Sequence, residues 1–187
     1  MARLFIAINF TDKVKNKVKD IIEKLREFTA KGHFTDEAHM HLTLEFLGEI
    51  NNKELKSIKD IMDKLEFNPF TLHVDRIGYF KGRDGKTYWL GIERNSTLFN
   101  VQEELHRMLL SGGFKLENRE YKPHITLGRQ IELSSGCNFE EINNNVDLSR
   151  NIRDIEISSD KIDLMKSERI NGKLIHNVIH SVSASIK

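Results

Sequence analysis

His41-Leu42-Thr43-Leu44 and His124-Ile125-Thr126-Leu127 share one pattern: histidine, aliphatic, threonine, aliphatic. In an extended strand, successive side chains alternate between faces, so residues i and i+2 point the same way. Each tetrad therefore puts an imidazole and a hydroxyl on one face and two aliphatic groups on the other. The aliphatic face anchors the strand in a core, and the polar face is left to line something wet. Two such strands facing each other would surround one cavity with two imidazoles and two hydroxyls.

Elements on either side of the tetrads follow from periodicity. Residues 3–9 read as a buried strand. Thr11 reads as the N-cap of a helix carrying Val14, Val18, Ile21, Leu25 and Phe28 at helical spacing, with Gly32 closing that segment. The lysines between them form a solvated face. The first tetrad opens a strand ending near Gly48, and Asn52 is a candidate cap for a second helix with Leu55, Ile58, Ile61, Met62 and Leu65. Residues 67–80 are strand-like. Gly82-Arg83-Asp84-Gly85 then supplies turn chemistry before Thr87-Tyr88-Trp89-Leu90-Gly91-Ile92, a hairpin signal.

A third helix is expected from Thr97 to Leu110, stopped by Ser111-Gly112-Gly113. Pro123 stands at the mouth of the second tetrad strand, where it loses only one ladder donor. A short acidic helix is expected near 139–145. Strands at 152–165 and 173–185, joined at Asn171-Gly172, close the chain. Each half thus carries a long amphipathic helix, a tetrad strand and another helix, with the tetrads 83 residues apart (124 minus 41). That spacing predicts an α+β fold of two pseudo-symmetric lobes of antiparallel sheet, with outer helices around a central cleft. No Pro-, Gly- or Ser-rich linker divides the chain, so residues 1–187 are read as a single two-lobed domain.

Composition narrows the chemistry. The 187 residues are 39% hydrophobic and 30% charged, ordinary for a soluble globular protein. The formal net charge of +1 provides no global field for nucleic acid, so any such binding must use a local patch. The single cysteine, Cys137, makes neither an intrachain disulfide nor a multi-thiolate metal site, in keeping with a reducing cytoplasm. The apolar run at Met1-Ala2-Arg3-Leu4-Phe5-Ile6-Ala7-Ile8 is too short for a signal peptide, and no stretch approaches the ~20 apolar residues needed to span a bilayer. A cytoplasmic protein with no membrane association is expected. A monomer is expected too, since no exposed heptad or sticky edge demands a partner.

With 8 histidines and 8 threonines, roughly 0.3 His-x-Thr triplets would arise by chance. Two copies with aliphatic residues in both gaps are therefore informative. Histidine has an unperturbed pKa near 6.5, so one imidazole can be neutral while its twin is protonated. One takes a proton from a nucleophile and the other gives a proton to a leaving oxygen. A threonine hydroxyl can donate to a phosphoryl oxygen, and its β-branch stiffens the first side-chain torsion. The set has no nucleophile of its own, no Gly-x-Ser-x-Gly elbow and no carboxylate cluster for magnesium or calcium. Threonine is a poor zinc ligand, and no third ligand is evident. No metal and no cofactor are expected.

These residues resemble the two-histidine phosphoesterases, and within them the RNA 2',3'-cyclic phosphodiesterase group historically called 2'-5' RNA ligases. The resemblance runs through Arg3-Leu4-Phe5-Ile6-Ala7-Ile8, His41-Leu42-Thr43-Leu44-Glu45-Phe46-Leu47-Gly48, Tyr88-Trp89-Leu90-Gly91-Ile92 and Tyr121-Lys122-Pro123-His124-Ile125-Thr126-Leu127-Gly128-Arg129. It implies two α+β lobes around a cleft, metal-free chemistry and a cyclic phosphate at an RNA 3' end, opened to a 2'-phosphate. Carried onto this chain, it makes His124 the proton acceptor and His41 the proton donor, although the near-identical tetrads do not distinguish the two. Thr43 and Thr126 would hold the non-bridging oxygens, and Arg129 would add a bidentate charge for phosphate. The family often has a small aliphatic residue before that arginine, where this chain has Gly128.

Other readings share these residues. A 2'-5' RNA ligase would run the reverse step. A small-nucleotide cyclic phosphodiesterase would suit the near-neutral charge. A non-catalytic RNA-end binding module would keep the threonines and arginine as a phosphate grip. Phe46, Phe80, Tyr88, Trp89 and Tyr121 are candidates for base stacking, with core packing the favoured role for each. His33, His39, His73, His106, His176 and His180 are assigned no role. His39 could reach the cleft rim, although a loop position is favoured.

Overall fold

The computed structural model describes residues 2–185; the ends of the 1–187 span, Met1, Ile186 and Lys187, lie outside the described residues. Strand β1 (Ala2–Asn9) alternates as its sequence requires. Leu4, Ile6 and Ile8 enter the main core, whereas Phe5 and Ala7 join Met165 in a small separate apolar cluster on the opposite face. Helix α1 (Asp12–Glu27) starts at Thr11, whose side chain accepts from the Val14 amide, and it buries Val14, Val18, Ile21, Ile22 and Leu25.

The expected end of that helix at Gly32 is replaced by a strand. The helix is capped at Phe28, and β2 (Thr29–Phe34) follows at once. The Thr29 hydroxyl donates to the Leu25 carbonyl at 2.8 Å, satisfying one orphan acceptor of the last turn. Gly32 then passes close to the next strand: a Cβ there would overlap Ile131 Cδ1 and come within 3.0 Å of Ile131 Cα. Gly32→Val is expected to cost about 2 kcal/mol through overpacking, measured as a shift in the urea midpoint at unchanged m-value.

After a single 3-10 turn (Glu37–His39), β3 (His41–Ile50) carries the first tetrad. Helix α2 (Asn52–Met62) is capped by Asn51 rather than Asn52. Asn51 accepts from the Lys53 and Glu54 amides, and the Glu54 side chain returns to the Asn51 amide, a reciprocal capping box. Strand β4 (Phe70–Gly82) and strand β5 (Gly85–Ile92) form the expected hairpin, with Gly82 opposite Gly85. Helix α3 (Ser96–Ser111) is capped by Asn95, and β6 (His124–Leu133) carries the second tetrad.

The largest departures follow Leu133. The acidic helix exists as α4 (Phe139–Asn143), but a further helix, α5 (Val146–Arg153), occupies the start of the expected 152–165 strand. Leu148 and Ile152, four residues apart, are its buried face. The rest of that stretch divides into β7 (Glu156–Ser159) and β8 (Lys161–Ile170), which join different sheets. Strand β9 (Lys173–Ser183) returns from the Asn171-Gly172 turn, where both residues take positive φ (51° and 79°) as a tight hairpin requires.

Two antiparallel sheets result, ordered β3-β1-β8-β9 and β2-β6-β5-β4-β7. The expected α+β architecture is therefore present, with lobes of four and five strands. One continuous buried cluster runs from Leu4, Ile6 and Leu42 of the first sheet to Leu90 and Ile125 of the second. Strands β3 and β6 approach each other between the sheets. Among the described residues, no helix is long and apolar enough to cross a membrane.

Candidate active site

Both tetrads fold as their alternation dictates. Leu42, Leu44, Ile125 and Leu127 are at most 2% exposed and belong to the shared core. His41, Thr43, His124 and Thr126 are half-buried on the other face of their strands. Strand pairing continues this face across each sheet. His41 lies opposite Asn9 and Thr43 opposite Ala7, while His124 lies opposite Gly91 and Thr126 opposite Trp89. The phenol of Tyr121, three residues before His124, donates to the Thr43 carbonyl at 3.2 Å. That bond ties the approach to the second tetrad onto the strand of the first. Burial and the Glu45 carboxylate push the Tyr121 phenol upward, so it stays a neutral donor.

The histidines are held alike. His124 Nδ1 lies 2.7 Å from the Lys122 carbonyl, and His41 is hydrogen-bonded to the backbone of His39. Each partner is two residues upstream. A carbonyl only accepts, so Nδ1 of His124 must carry the proton, which leaves Nε2 as its proton-exchanging atom. The His41 ring sits 4.8 Å from the Phe5 ring and 5.5 Å from the His176 ring. The His124 ring meets Phe80 edge-on at 5.1 Å and Trp89 at 6.4 Å.

Arg129 is exposed, and its charge acts on both imidazoles, disfavouring a second positive charge on each. It thus stands within electrostatic reach of both tetrads. Burial is the first cause holding His41 down at about 4, with His176, His39 and Arg129 adding to it against the His39 backbone bond. Burial also lowers His124, with Arg129 and Arg119 contributing and the Lys122 carbonyl opposing. Both imidazoles are therefore neutral at pH 7. A bound phosphate would reverse the sign of this field.

These shifts fix a stability dependence. The unfolded chain protonates a histidine near 6.5, whereas folded His41 resists protonation until about 4. The unfolded state therefore binds more protons throughout that window, and stability falls as pH drops from about 6.5 to about 4. His41 alone accounts for a loss of the order of 3 kcal/mol. Urea unfolding at pH 7 and pH 4 should show that loss, and His41→Gln should remove most of its share.

Several neighbours carried no signal that alternation could reveal. His176 lies on β9 with its Nδ1 buried and unpartnered, and its ring is 4.7 Å from His39. His39 ends the 3-10 turn and places Nε2 3.1 Å from the Leu174 carbonyl. It therefore sits beside the first tetrad, at the end of a 3-10 turn, where a loop position is the favoured expectation. Arg119 lies 5.8 Å over the Phe46 ring. Of the stacking candidates, Tyr88 is fully buried against Tyr79 and Phe139, and Tyr121 is engaged by its bond to Thr43. Phe46 and Phe80 remain exposed, at 43% and 36%. Among the described residues, no group of three or more His, Cys, Asp and Glu is arranged to hold a metal ion.

Known proteins resemble this chain in sequence and in fold. The model of the LigT-like phosphoesterases matches residues 8–89 and again 90–176, one match for each tetrad. The RNA 2',3'-cyclic phosphodiesterase of Thermotoga maritima is 37% identical over 130 residues, covering 68% of this chain and 69% of that protein. A protein of the same name from Methanocaldococcus jannaschii is 28% identical over 179 residues, covering 95% and 98%. The crystal structure of E. coli LigT in its apo form superposes with a TM-score of 0.78 at 21% identity, covering 99% of this chain and 98% of that one. Its complex with 3'-AMP gives a TM-score of 0.76 at 20% identity and the same coverage. With a doubled family match across both halves and an α+β fold of two facing sheets, this chain belongs to the LigT-like phosphoesterase family.

Proposed function

We propose that this protein hydrolyses the 2',3'-cyclic phosphate at an RNA 3' end to a 2'-phosphate, using an imidazole pair and no metal. The observation that carries the reading is the pair of His-x-Thr faces, with the charge of Arg129 acting on both histidines. Relatives named RNA 2',3'-cyclic phosphodiesterase support it.

In this mechanism His124 accepts a proton from water as the water oxygen bonds to phosphorus. The bond from phosphorus to the 3' oxygen breaks, and His41 supplies the proton that leaves a 3' hydroxyl. The Lys122 carbonyl holds His124 with Nε2 free to accept. His41 needs its proton only when an anion is bound, and the charge of the cyclic phosphate raises an imidazole that is otherwise held down at about 4. Thr43 and Thr126 donate to the non-bridging oxygens, whose charge grows as phosphorus becomes five-coordinate. Arg129 binds the same group as a planar fork. The 1–187 chain acts as a single two-lobed unit in which each lobe supplies one half of the acid-base pair.

The direct test is hydrolysis of a cyclic-phosphate RNA oligomer and a 2',3'-cyclic mononucleotide in excess EDTA, with products assigned by phosphorus NMR. EDTA-resistant formation of a 2'-phosphate is the expected result. A folded sample that turned over neither substrate would refute the reading. A second expectation concerns pH. The profile of kcat/KM reports the free enzyme, and burial lowers both histidines from 6.5. The optimum is therefore expected below pH 6.5, with activity falling on the alkaline side as the donor loses its proton.

A further inference from the structure

We propose that an aromatic and cationic wall beside His124, formed by Phe80, Trp89 and Arg76, binds the RNA chain upstream of its cyclic-phosphate end. This inference rests on the phosphodiesterase reading and names its substrate as an oligonucleotide rather than a free cyclic nucleotide.

The wall is a continuous face of the five-stranded sheet. Phe80 lies 5.1 Å from His124 and 5.2 Å from Trp89, and the Arg76 guanidinium lies 5.9 Å over the Trp89 ring. The backbone is shaped to seat the indole. A Cβ on Gly78, opposite Trp89 across the β4–β5 pair, would overlap the indole ring. A Cβ on Gly91 would come within 3.2 Å of the Trp89 ring and 3.1 Å of Arg76 Cγ. Glycine at both positions lets the indole lie down on the neighbouring strand and lets Arg76 close over it.

The register sets the reach. Arg76 lies opposite Gly91, and Gly91 lies opposite His124. Arg76 therefore stands two strand spacings, about 10 Å, from the reacting histidine. Its guanidinium lies over the Trp89 ring, the indole standing between it and the Phe80 side of His124, and is placed for a different phosphate, which a mononucleotide lacks. Asp75 Oδ2 accepts from Arg76 Nη1 at 2.5 Å, steadying the guanidinium and leaving its other donors free. The Arg76 side chain is 60% exposed and Phe80 is 36% exposed, so both are open to a ligand. Aromatic faces stack any base, and an arginine beside them tracks the backbone. The near-neutral net charge calls for such a local patch.

Trp89 is the only tryptophan of the chain, so its fluorescence reports this wall alone. The experiment titrates the wild-type protein with an RNA tetranucleotide ending in a 2'-phosphate and, separately, with 2'-AMP. The tetranucleotide is expected to quench Trp89 and to bind at least about 10-fold tighter than 2'-AMP, with a steeper salt dependence. Arg76→Gln should bring the affinity ratio close to one and lower the salt slope by about 0.7, whereas Arg76→Lys should keep most of the slope. Equal affinities, unchanged Trp89 fluorescence on tetranucleotide binding, or a ratio insensitive to Arg76→Gln would each overturn the wall. Failure to hydrolyse any cyclic-phosphate substrate would overturn the phosphodiesterase reading instead, and the titration would still judge the wall.

Discussion

His41→Ala and His124→Ala are each expected to lower kcat for cyclic-phosphate opening by at least about 10³-fold while leaving the protein folded. Proton transfer by a placed imidazole contributes roughly 10²- to 10⁴-fold, and the two-histidine mechanism uses one transfer at each end of the reaction. Folding should survive because neither ring belongs to the core: both are half-buried on the face opposite Leu42, Leu44, Ile125 and Leu127. His41→Ala should also be more resistant than wild type to unfolding at pH 4, because it removes a ring that the fold keeps neutral down to about 4. Paired measurement of turnover and urea stability checks both statements. A variant that kept wild-type turnover would remove its histidine from the acid-base pair. The double variant should lose little more than either single one, since residues acting as a unit are not additive.

Thr43→Val and Thr126→Val are expected to reduce kcat by about 10² each, with a smaller change in KM. Valine preserves the branched shape and removes only the hydroxyl, so the loss reports a donor to charge that develops in the transition state. Strand geometry should be unaffected, because the Tyr121 phenol grips the Thr43 carbonyl and not its side chain. Steady-state kinetics on a cyclic mononucleotide distinguish the cases. A rise in KM at constant kcat would mean that the hydroxyl serves uniform binding rather than the transition state.

The parts of this protein that were readable in advance are those in which local rules and tertiary packing agree. Strand β1, the Thr11 cap of α1, the β4–β5 hairpin and the Asn171-Gly172 turn each follow from period, cap or turn chemistry within a few residues. Strand β2 did not, because Thr29–Phe34 is short and continues directly from a helix whose end carries no glycine. Helix α5 and strands β7 and β8 share a polar stretch in which Leu148, Ile152, Ile155 and Ile157 satisfy neither period for long. Their division is decided by which sheet has an open edge: β7 completes the side of β4, and β8 fills the place beside β1.

The sequence alone placed two imidazoles and two hydroxyls on polar strand faces, by an alternation that requires no tertiary knowledge; Arg129, an odd number of residues from His124 and Thr126, is not put on that face by the same rule. Only the tertiary structure decided their surroundings. Phe5 and His176 come to His41, and Phe80 and Trp89 come to His124 with Arg76 over the indole, through strand registers between residues far apart in sequence. It also decided the protonation of the histidines, because burial and the field of distant charges depend on what packs around a ring. Side-chain alternation is a local property of the backbone, whereas register and desolvation exist only once separate segments have met.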